Sequence, residues 1–367
     1  MKRALSLAGK GKGTVNPNPL VGAVIVNHGH IVGQGYHRKP GEPHAEILAL
    51  HRAGPKARGG VLYVTLEPCV HTRKRTPPCL PLLLQSGLKR VCVAMIDPNP
   101  QVHGRGVQAL TRAGMEVTTG VCESEAQRLN EAYIHWITQG RPKVTLKAAM
   151  TLDGKIATPN GQARWITGVA ARQDVQNVRT RVDAILVGVG TILKDNPSLS
   201  ARGTQPESSK RMGRQPVRVI LDSRLRTPLS SNVVRWAVEQ ATIVCTTSGA
   251  SKSTIQQFRQ RGVEVWVLPG ASGGVSLRAC LRKMGQEGLL SVLIDGGSTV
   301  NATAVREGVV DHVRLYLAPK LLGGQDAKSV IGGLSPKNLS RAHTLEDVKV
   351  RRLGPDFLIT GTFPSPR

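Results

Sequence analysis

The sequence predicts an α/β protein made of two successive strand–helix series. Three observations predict it. Short apolar runs alternate with helical stretches along the first 140 residues, a Gly/Pro break follows, and a second alternating series fills the rest. A chain of 367 residues also exceeds the usual size of one hydrophobic core. The chain is 40% hydrophobic and 20% charged, which is ordinary for a globular protein. Aromatics make up only 3%, so Val, Leu, Ile and Ala must build the cores.

In the first series, residues 20–27 and 30–36 read as a hairpin turning at Asn27-His28-Gly29. A helix over 44–52 and a strand over 61–66 follow. Pro77-Pro78 suits the first turn of a further helix, where proline's missing amide is no loss. Residues 91–96 make a strand, 106–113 a helix, 117–119 a short strand and 123–137 a last helix. Thr138-Gln139-Gly140-Arg141-Pro142 then breaks the pattern, which divides the chain into domains 1–140 and 141–367. The second series has strands at 144–149, 184–187, 217–221, 242–245, 263–268, 291–294 and 312–318. Residues 202–216 are polar, basic and rich in Gly, Pro and Ser, and read as a mobile surface loop.

Several classes are excluded. No apolar run approaches the roughly 18–20 residues that span a bilayer, and the N-terminus lacks a secretion signal, so the expectation is a cytoplasmic protein without a membrane partner. Six cysteines are too few for a disulfide scaffold; Cys92, Cys122, Cys245 and Cys280 sit in apolar segments and read as packing. The net charge of +26 raises the question of a polyanionic partner. The first 140 residues hold 17 Lys and Arg against 8 Asp and Glu, so the excess is spread over both halves. That spread disfavours one nucleic-acid face and suits phosphorylated small molecules.

The chemistry concentrates in His44-Ala45-Glu46, Glu67-Pro68-Cys69 and Thr76-Pro77-Pro78-Cys79. A hydrolytic zinc site needs three protein ligands and one open position. His44, Cys69 and Cys79 supply the three, and Glu46 is a nearby carboxylate outside the ligand set that can carry protons. This order is the zinc deaminase signature. A closed structural site would recruit a fourth ligand, for which His71 is the near candidate. In the second half, Gly188-Val189-Gly190-Thr191 and Asp295-Gly296-Gly297-Ser298-Thr299 each follow a strand, where backbone amides and a helix start can meet phosphate. Ser298 and Thr299 are poised to cap the next helix. Neither segment completes a Rossmann fingerprint.

The surrounding motifs narrow the field. Asn16-Pro17-Asn18-Pro19, the strand from Val21 to Val26, Gly41-Glu42-Pro43-His44-Ala45-Glu46, Tyr63-Val64-Thr65-Leu66-Glu67-Pro68-Cys69 and Asp97-Pro98-Asn99-Pro100 follow one another. Lys147-Ala148-Ala149, Trp165-Ile166-Thr167-Gly168 and Asp195-Asn196-Pro197-Ser198-Leu199 open the second half. Together these resemble the bacterial bifunctional riboflavin biosynthesis deaminase/reductases over nearly the whole chain. The resemblance implies a cytidine-deaminase-like α/β/α domain, then a dihydrofolate-reductase-like α/β domain. It implies zinc on His44, Cys69 and Cys79, Glu46 as proton carrier, and Asn18 holding a pyrimidine. It further implies NADPH contacts at Ala149, Trp165, Thr191, Asp195, Ser223, Gly296, Gly297, Ser298 and Thr299. Substrate contacts are implied at Ala163, Arg179, Leu199, Arg202 and Asp295, and family members often form homo-oligomers.

Three departures stand out. The loop 70–75 is one residue longer and more basic than the family's, and its Lys74 or Arg75 could meet a substrate phosphate or simply be solvated. Ala163 replaces the usual Ser, and Asp295 replaces the usual Glu. Two rivals are a zinc-dependent nucleic-acid base deaminase with an accessory domain, and a degenerate ligand-binding regulator. The first leaves the second half idle and lacks an aromatic surface for stacking bases. The second would have lost Glu46 or a ligand, and both survive.

Overall fold

A computed structural model of the chain describes residues 1–70, 76–202, 215–271 and 273–364. The expected hairpin forms as β1 (Gly22–Asn27) antiparallel to β2 (His30–Tyr36). His28 and Gly29 between them have φ of 46° and 76°, the positive values a two-residue hairpin turn demands. The chain divides into two units, Met1–Gly140 and Arg141–Arg367.

In the first unit, α1 (Lys2–Ala8) precedes the hairpin; α2 (Ala45–Ala53), β3 (Val61–Val64), α3 (Leu80–Gln85), β4 (Arg90–Val93), α4 (Arg105–Arg112), β5 (Glu116–Thr119), α5 (Glu123–Leu129) and α6 (Glu131–Gln139) follow. The sheet order is β2-β1-β3-β4-β5. β1 is antiparallel to both neighbours, whereas β3, β4 and β5 are parallel. Ala23, Ile25, Leu62, Val64, Val91 and Val93 bury one sheet face with Ala45, Ala49, Ala53, Leu83 and Leu110 from the helices.

Two expectations need correction here. Pro77-Pro78 precede α3 rather than opening it; Cys79 is the N-cap and Pro81 occupies the first turn. The single helix expected over 123–137 is two helices meeting at Asn130. The buried Asn130 side chain accepts from Leu20 N and donates to Leu20 O, so it pairs with a peptide near β1 like a neighbouring strand would.

The second unit comprises β6 (Lys143–Thr151), β7 (Lys155–Ala157), α7 (Val169–Arg179), β8 (Ala184–Gly188), α8 (Val189–Asp195), β9 (Val217–Leu221), α9 (Asn232–Arg235), β10 (Thr242–Thr246), α10 (Lys252–Gln260) and β11 (Glu264–Val267). It continues with β12 (Gly270–Ala271), β13 (Gly274–Val275), α11 (Leu277–Gln286), β14 (Ser291–Ile294), α12 (Ser298–Arg306), β15 (His312–Ala318), β16 (Lys328–Ser329), β17 (Glu346–Leu353) and β18 (Asp356–Thr362). Nine strands form one sheet in the order β11-β10-β9-β8-β14-β6-β15-β18-β17. β11 through β15 are parallel, and the last two pair antiparallel.

Both faces of this sheet are covered. On β8, Ala184 and Leu186 join a core with Leu277, Leu281 and Met284 of α11, while Ile185 and Val187 join another with Ile192, Val233 and Phe258. A strand buried on both sides reads as a continuous apolar run, which is why Ala184-Ile185-Leu186-Val187 was legible. The polar stretch expected to be a mobile loop lies, over 203–214, outside the described residues.

Candidate functional site

In the first unit, α2 lies directly on β2. A Cβ built on Gly33 would come 2.2 Å from Ala49 O, and one on Gly35 would come 2.6 Å from Leu48 Cβ. Glycine is therefore required at both positions for the helix to seat where it does. His44 is the N-cap of α2 and Glu46 lies in its first turn. Cys69 follows β3, and Cys79 caps α3.

These three residues converge. His44 Nδ1 is 3.2 Å from Cys79 Sγ and 3.5 Å from Cys69 Sγ, and the sulfurs are 3.6 Å apart. Tetrahedral zinc, with bonds of about 2.3 Å to sulfur and about 2.0 Å to nitrogen, separates two sulfurs by about 3.8 Å and nitrogen from sulfur by about 3.5 Å. The three side chains thus span one face of a zinc tetrahedron to within a few tenths of an ångström. The fourth vertex has no ligand among the described residues, and the grouping holds those three side chains alone. The donor set fits zinc. His44 presents Nδ1 to the thiols because its other nitrogen is engaged: Thr76 Oγ1 sits 2.9 Å from Nε2.

Glu46 is buried, and its Oε2 has no hydrogen-bond partner among the described residues. Burial raises its carboxyl above the ordinary value, against the lowering pull of His44. Beside the site, Glu67 accepts four backbone N–H groups: Asp97 and Gly104 on Oε2 at 3.2 and 2.9 Å, Gly106 and Val107 on Oε1 at 2.8 and 3.1 Å. Asp97 in turn accepts from Asn99 N and Tyr133 Oη, and burial pushes its carboxyl up to about 6. Asn18 Nδ2 lies 2.9 Å from Nε2 of buried His37, whose ring packs edge-on to His44 with centroids 5.2 Å apart. The structure therefore gathers Asn18, His44, Glu46, Cys69 and Cys79 in one place. His71, Lys74 and Arg75 lie outside the described residues.

In the second unit, four expected cofactor positions sit along adjacent strands. Ser223 follows β9, Thr191 follows β8, Gly296–Thr299 follows β14, and Ala149 lies near the end of β6. At about 4.8 Å per strand these carboxyl ends cover about 14 Å, and carboxyl ends of parallel strands are where nucleotides bind. A Cβ on Gly297 would lie 3.9 Å from Thr191 Oγ1, so the two turns meet. One expectation fails in detail. Gly297 is the N-cap of α12, and Ser298 and Thr299 are its first two residues with no side-chain cap bond. Trp165 is 63% exposed, with the Arg172 guanidinium 4.5 Å from its ring centroid. Asp195 ends α8 and is exposed, and Arg164 donates to its carbonyl.

The expected substrate positions also converge in part. Asp295 Oδ1 is 3.0 Å from Lys147 Nζ, and its Oδ2 accepts from Arg179. Burial opposes ionisation of Asp295, yet the two cations hold its carboxyl well below the ordinary range. Arg179 also donates to Ser200 O, which brings the segment holding Leu199 and Arg202 alongside. The Leu199 side chain is buried in the core, so only its main chain can meet a ligand. Ala163 is half-buried in the loop before α7. Sequence reasoning missed Thr76, Glu67 and Lys147 as site components; the Lys147-Ala148-Ala149 motif was the available signal for the last.

Comparison with known proteins agrees with this geometry. Residues 1–95 match the cytidine and deoxycytidylate deaminase zinc-binding region, and residues 142–359 match the RibD C-terminal domain. The riboflavin biosynthesis protein RibD of Actinobacillus pleuropneumoniae is 44% identical over 366 residues, covering 100% of this chain and 95% of its own. That of Escherichia coli (strain K12) is 39% identical over 365 residues, covering 98% and 97%. Among solved structures, Acinetobacter baumannii RibD is similar with a TM-score of 0.87 at 36% identity, covering 99% of this chain and 97% of that one. The Thermotoga maritima diaminohydroxyphosphoribosylaminopyrimidine deaminase/5-amino-6-(5-phosphoribosylamino)uracil reductase has a TM-score of 0.83 at 38% identity, with coverages of 99% and 97%. A family match across residues 142–359, together with relatives alike over both units, makes this chain a member of the RibD family of riboflavin biosynthesis proteins.

Proposed function

We propose that the chain catalyses two consecutive reactions of riboflavin biosynthesis. Residues 1–140 deaminate 2,5-diamino-6-(5-phosphoribosylamino)pyrimidin-4-one hydrolytically, and residues 141–367 reduce the ribosyl group of the product to ribityl. The observation that carries this reading is the His44–Cys69–Cys79 triangle, with the buried Oε2 of Glu46, which has no partner among the described residues, beside it.

Zinc on that triangle supplies the acidity that makes a water nucleophilic near neutral pH. Glu46 then accepts a proton from the attacking water and delivers it to the departing amine, a role for which a carboxyl raised by burial is suited. Thr76 holds the His44 ring in its ligating orientation, and Asn18, set by His37, holds the pyrimidine. In the second unit NADPH supplies the hydride. Thr191, Ser223 and residues 296–299, with Ala149, Trp165 and Asp195, are the residues that would hold it. Arg179, Leu199, Arg202, Ala163 and Asp295 hold the phosphorylated sugar. We further propose a cytoplasmic location and a homo-oligomer; no helix among the described residues is long and apolar enough to cross a membrane.

The test is a coupled assay with the diaminopyrimidine substrate and NADPH, alongside zinc analysis. About one zinc per chain and NADPH oxidation dependent on the deaminated intermediate are expected. A zinc-loaded, folded protein that deaminates RNA and leaves the aminopyrimidine untouched would overturn the reading.

A further inference from the structure

The stretch from Ser198 to Arg202 has no helix or strand, yet side chains partner its carbonyls from Ser198 to Ala201 and its amides at Ala201 and Arg202. Gln240 Nε2 donates to Leu199 O, while its Oε1 accepts from Ser200 Oγ at 3.0 Å. Gln215 pairs with Ala201 on both sides: Oε1 accepts from Ala201 N at 3.0 Å and Nε2 donates to Ala201 O at 3.1 Å. Gln176 Oε1 accepts from Arg202 N at 3.0 Å. Arg218, fully buried, donates to Ser198 O from below and also to Gln240 O, so it fixes the main chain that carries one of the glutamines.

Three features argue that this is more than loop packing. Leu199 has a φ of 51°, a left-handed conformation that a branched side chain rarely adopts and that persists only where its surroundings over-determine it. The three glutamines come from separate places: α7, the approach to β9, and the approach to β10. Finally, the three glutamines are uncharged. An amide offers both a donor and an acceptor, so it can stand in for a neighbouring strand. Carboxylates in the same places would instead neutralise Arg179 and Arg202, the cations suited to a phosphate.

We propose that Gln176, Gln215 and Gln240 are positioning residues of the second site, holding residues 198–202 in the conformation that offers the Leu199 amide and the Arg202 guanidinium to the phosphorylated substrate. This rests on the reading above that Leu199 and Arg202 meet that substrate. The segment that the clamp holds meets substrate in the ground state and in the transition state alike, so loss of the clamp appears in KM rather than in kcat.

The experiment measures reductase kinetics on the full chain with 5-amino-6-(5-phosphoribosylamino)uracil, and NADPH binding by fluorescence. Gln215→Leu and Gln240→Leu should each raise KM for that substrate by about tenfold, with kcat and NADPH affinity unchanged. Gln176→Leu loses a single bond on a helix surface and so should fold, and it should raise KM. Lower melting temperatures with an unaltered KM across all three leucine variants would overturn the clamp. Arg202→Ala separates the two readings. If it raises KM while the glutamine variants do not, only the clamp fails; if it leaves KM unaltered, the segment does not face substrate and both readings fall.

Discussion

Thr76 Oγ1 lies 2.9 Å from His44 Nε2, while His44 Nδ1 faces the two thiols. The hydroxyl therefore accepts the proton that a ring ligating through Nδ1 must carry on its other nitrogen. Removing the acceptor takes away the hydrogen bond that orients the half-buried ring from its other nitrogen. Thr76→Val should weaken zinc binding by about 10- to 100-fold, measured by competition with a chromophoric chelator, and Thr76→Ser should retain most of the affinity.

In the proposed deamination Glu46 carries the proton without belonging to the ligand set. Glu46→Gln should keep a full complement of zinc but lower the deamination rate by about 10²- to 10⁴-fold. His44→Ala and Cys79→Ser should lose the metal itself, visible by elemental analysis. Retained turnover in Glu46→Gln would assign the proton transfer to another group.

Glu67 fastens the 97–107 segment to the strand end that bears Cys69. In Glu67→Gln the volume is kept, but an NH₂ replaces an oxygen that accepts two N–H groups. Donors would then face donors in a buried setting. The cost should be about 2–4 kcal/mol, seen as a lower urea midpoint for the first unit.

Asp295 sets a pH signature in the second unit. Its folded carboxyl is held below the ordinary value of 3.8, so its stabilising contribution is complete at neutral pH and is lost as pH falls below about 4. Asp295→Asn leaves Lys147 and Arg179 without their shared counter-charge. At pH 7 it should cost about 3 kcal/mol; at pH 3 the gap between the variant and the parent in urea midpoint should narrow. A gap that stays constant with pH would remove the carboxylate from this account.

The convergence of His44, Cys69 and Cys79 was legible because a tetrahedral metal needs few residue types, and their order along the chain survives folding. The strand cores were legible for a related reason: Ala184 to Val187 is buried on both faces, so its burial shows in composition alone. Thr76 was hidden because a hydroxyl near a ligand means nothing until the ring's orientation is known. Glu67 was hidden because its four partners are backbone amides thirty to forty residues away, and amides carry no sequence signal. The same holds for Asn130, whose pairing with Leu20 splits one apparent helix into two, and for the three glutamines. β17 escaped notice because an exposed edge strand, here rich in Lys and Arg, alternates only at Val348 and Val350, too short a pattern to read.

The seat of α2 on β2 has a mechanical corollary. With Gly33 and Gly35 facing the helix, no cushion of side chains separates its axis from the hairpin beneath, so helix and hairpin move as one body. His44 and Glu46 therefore share a rigid platform, whereas Cys69 and Cys79 ride on connecting segments. Thermal drift in the site should arise on the sulfur side, and the imidazole-to-carboxylate spacing on which proton delivery depends should be the last dimension to soften.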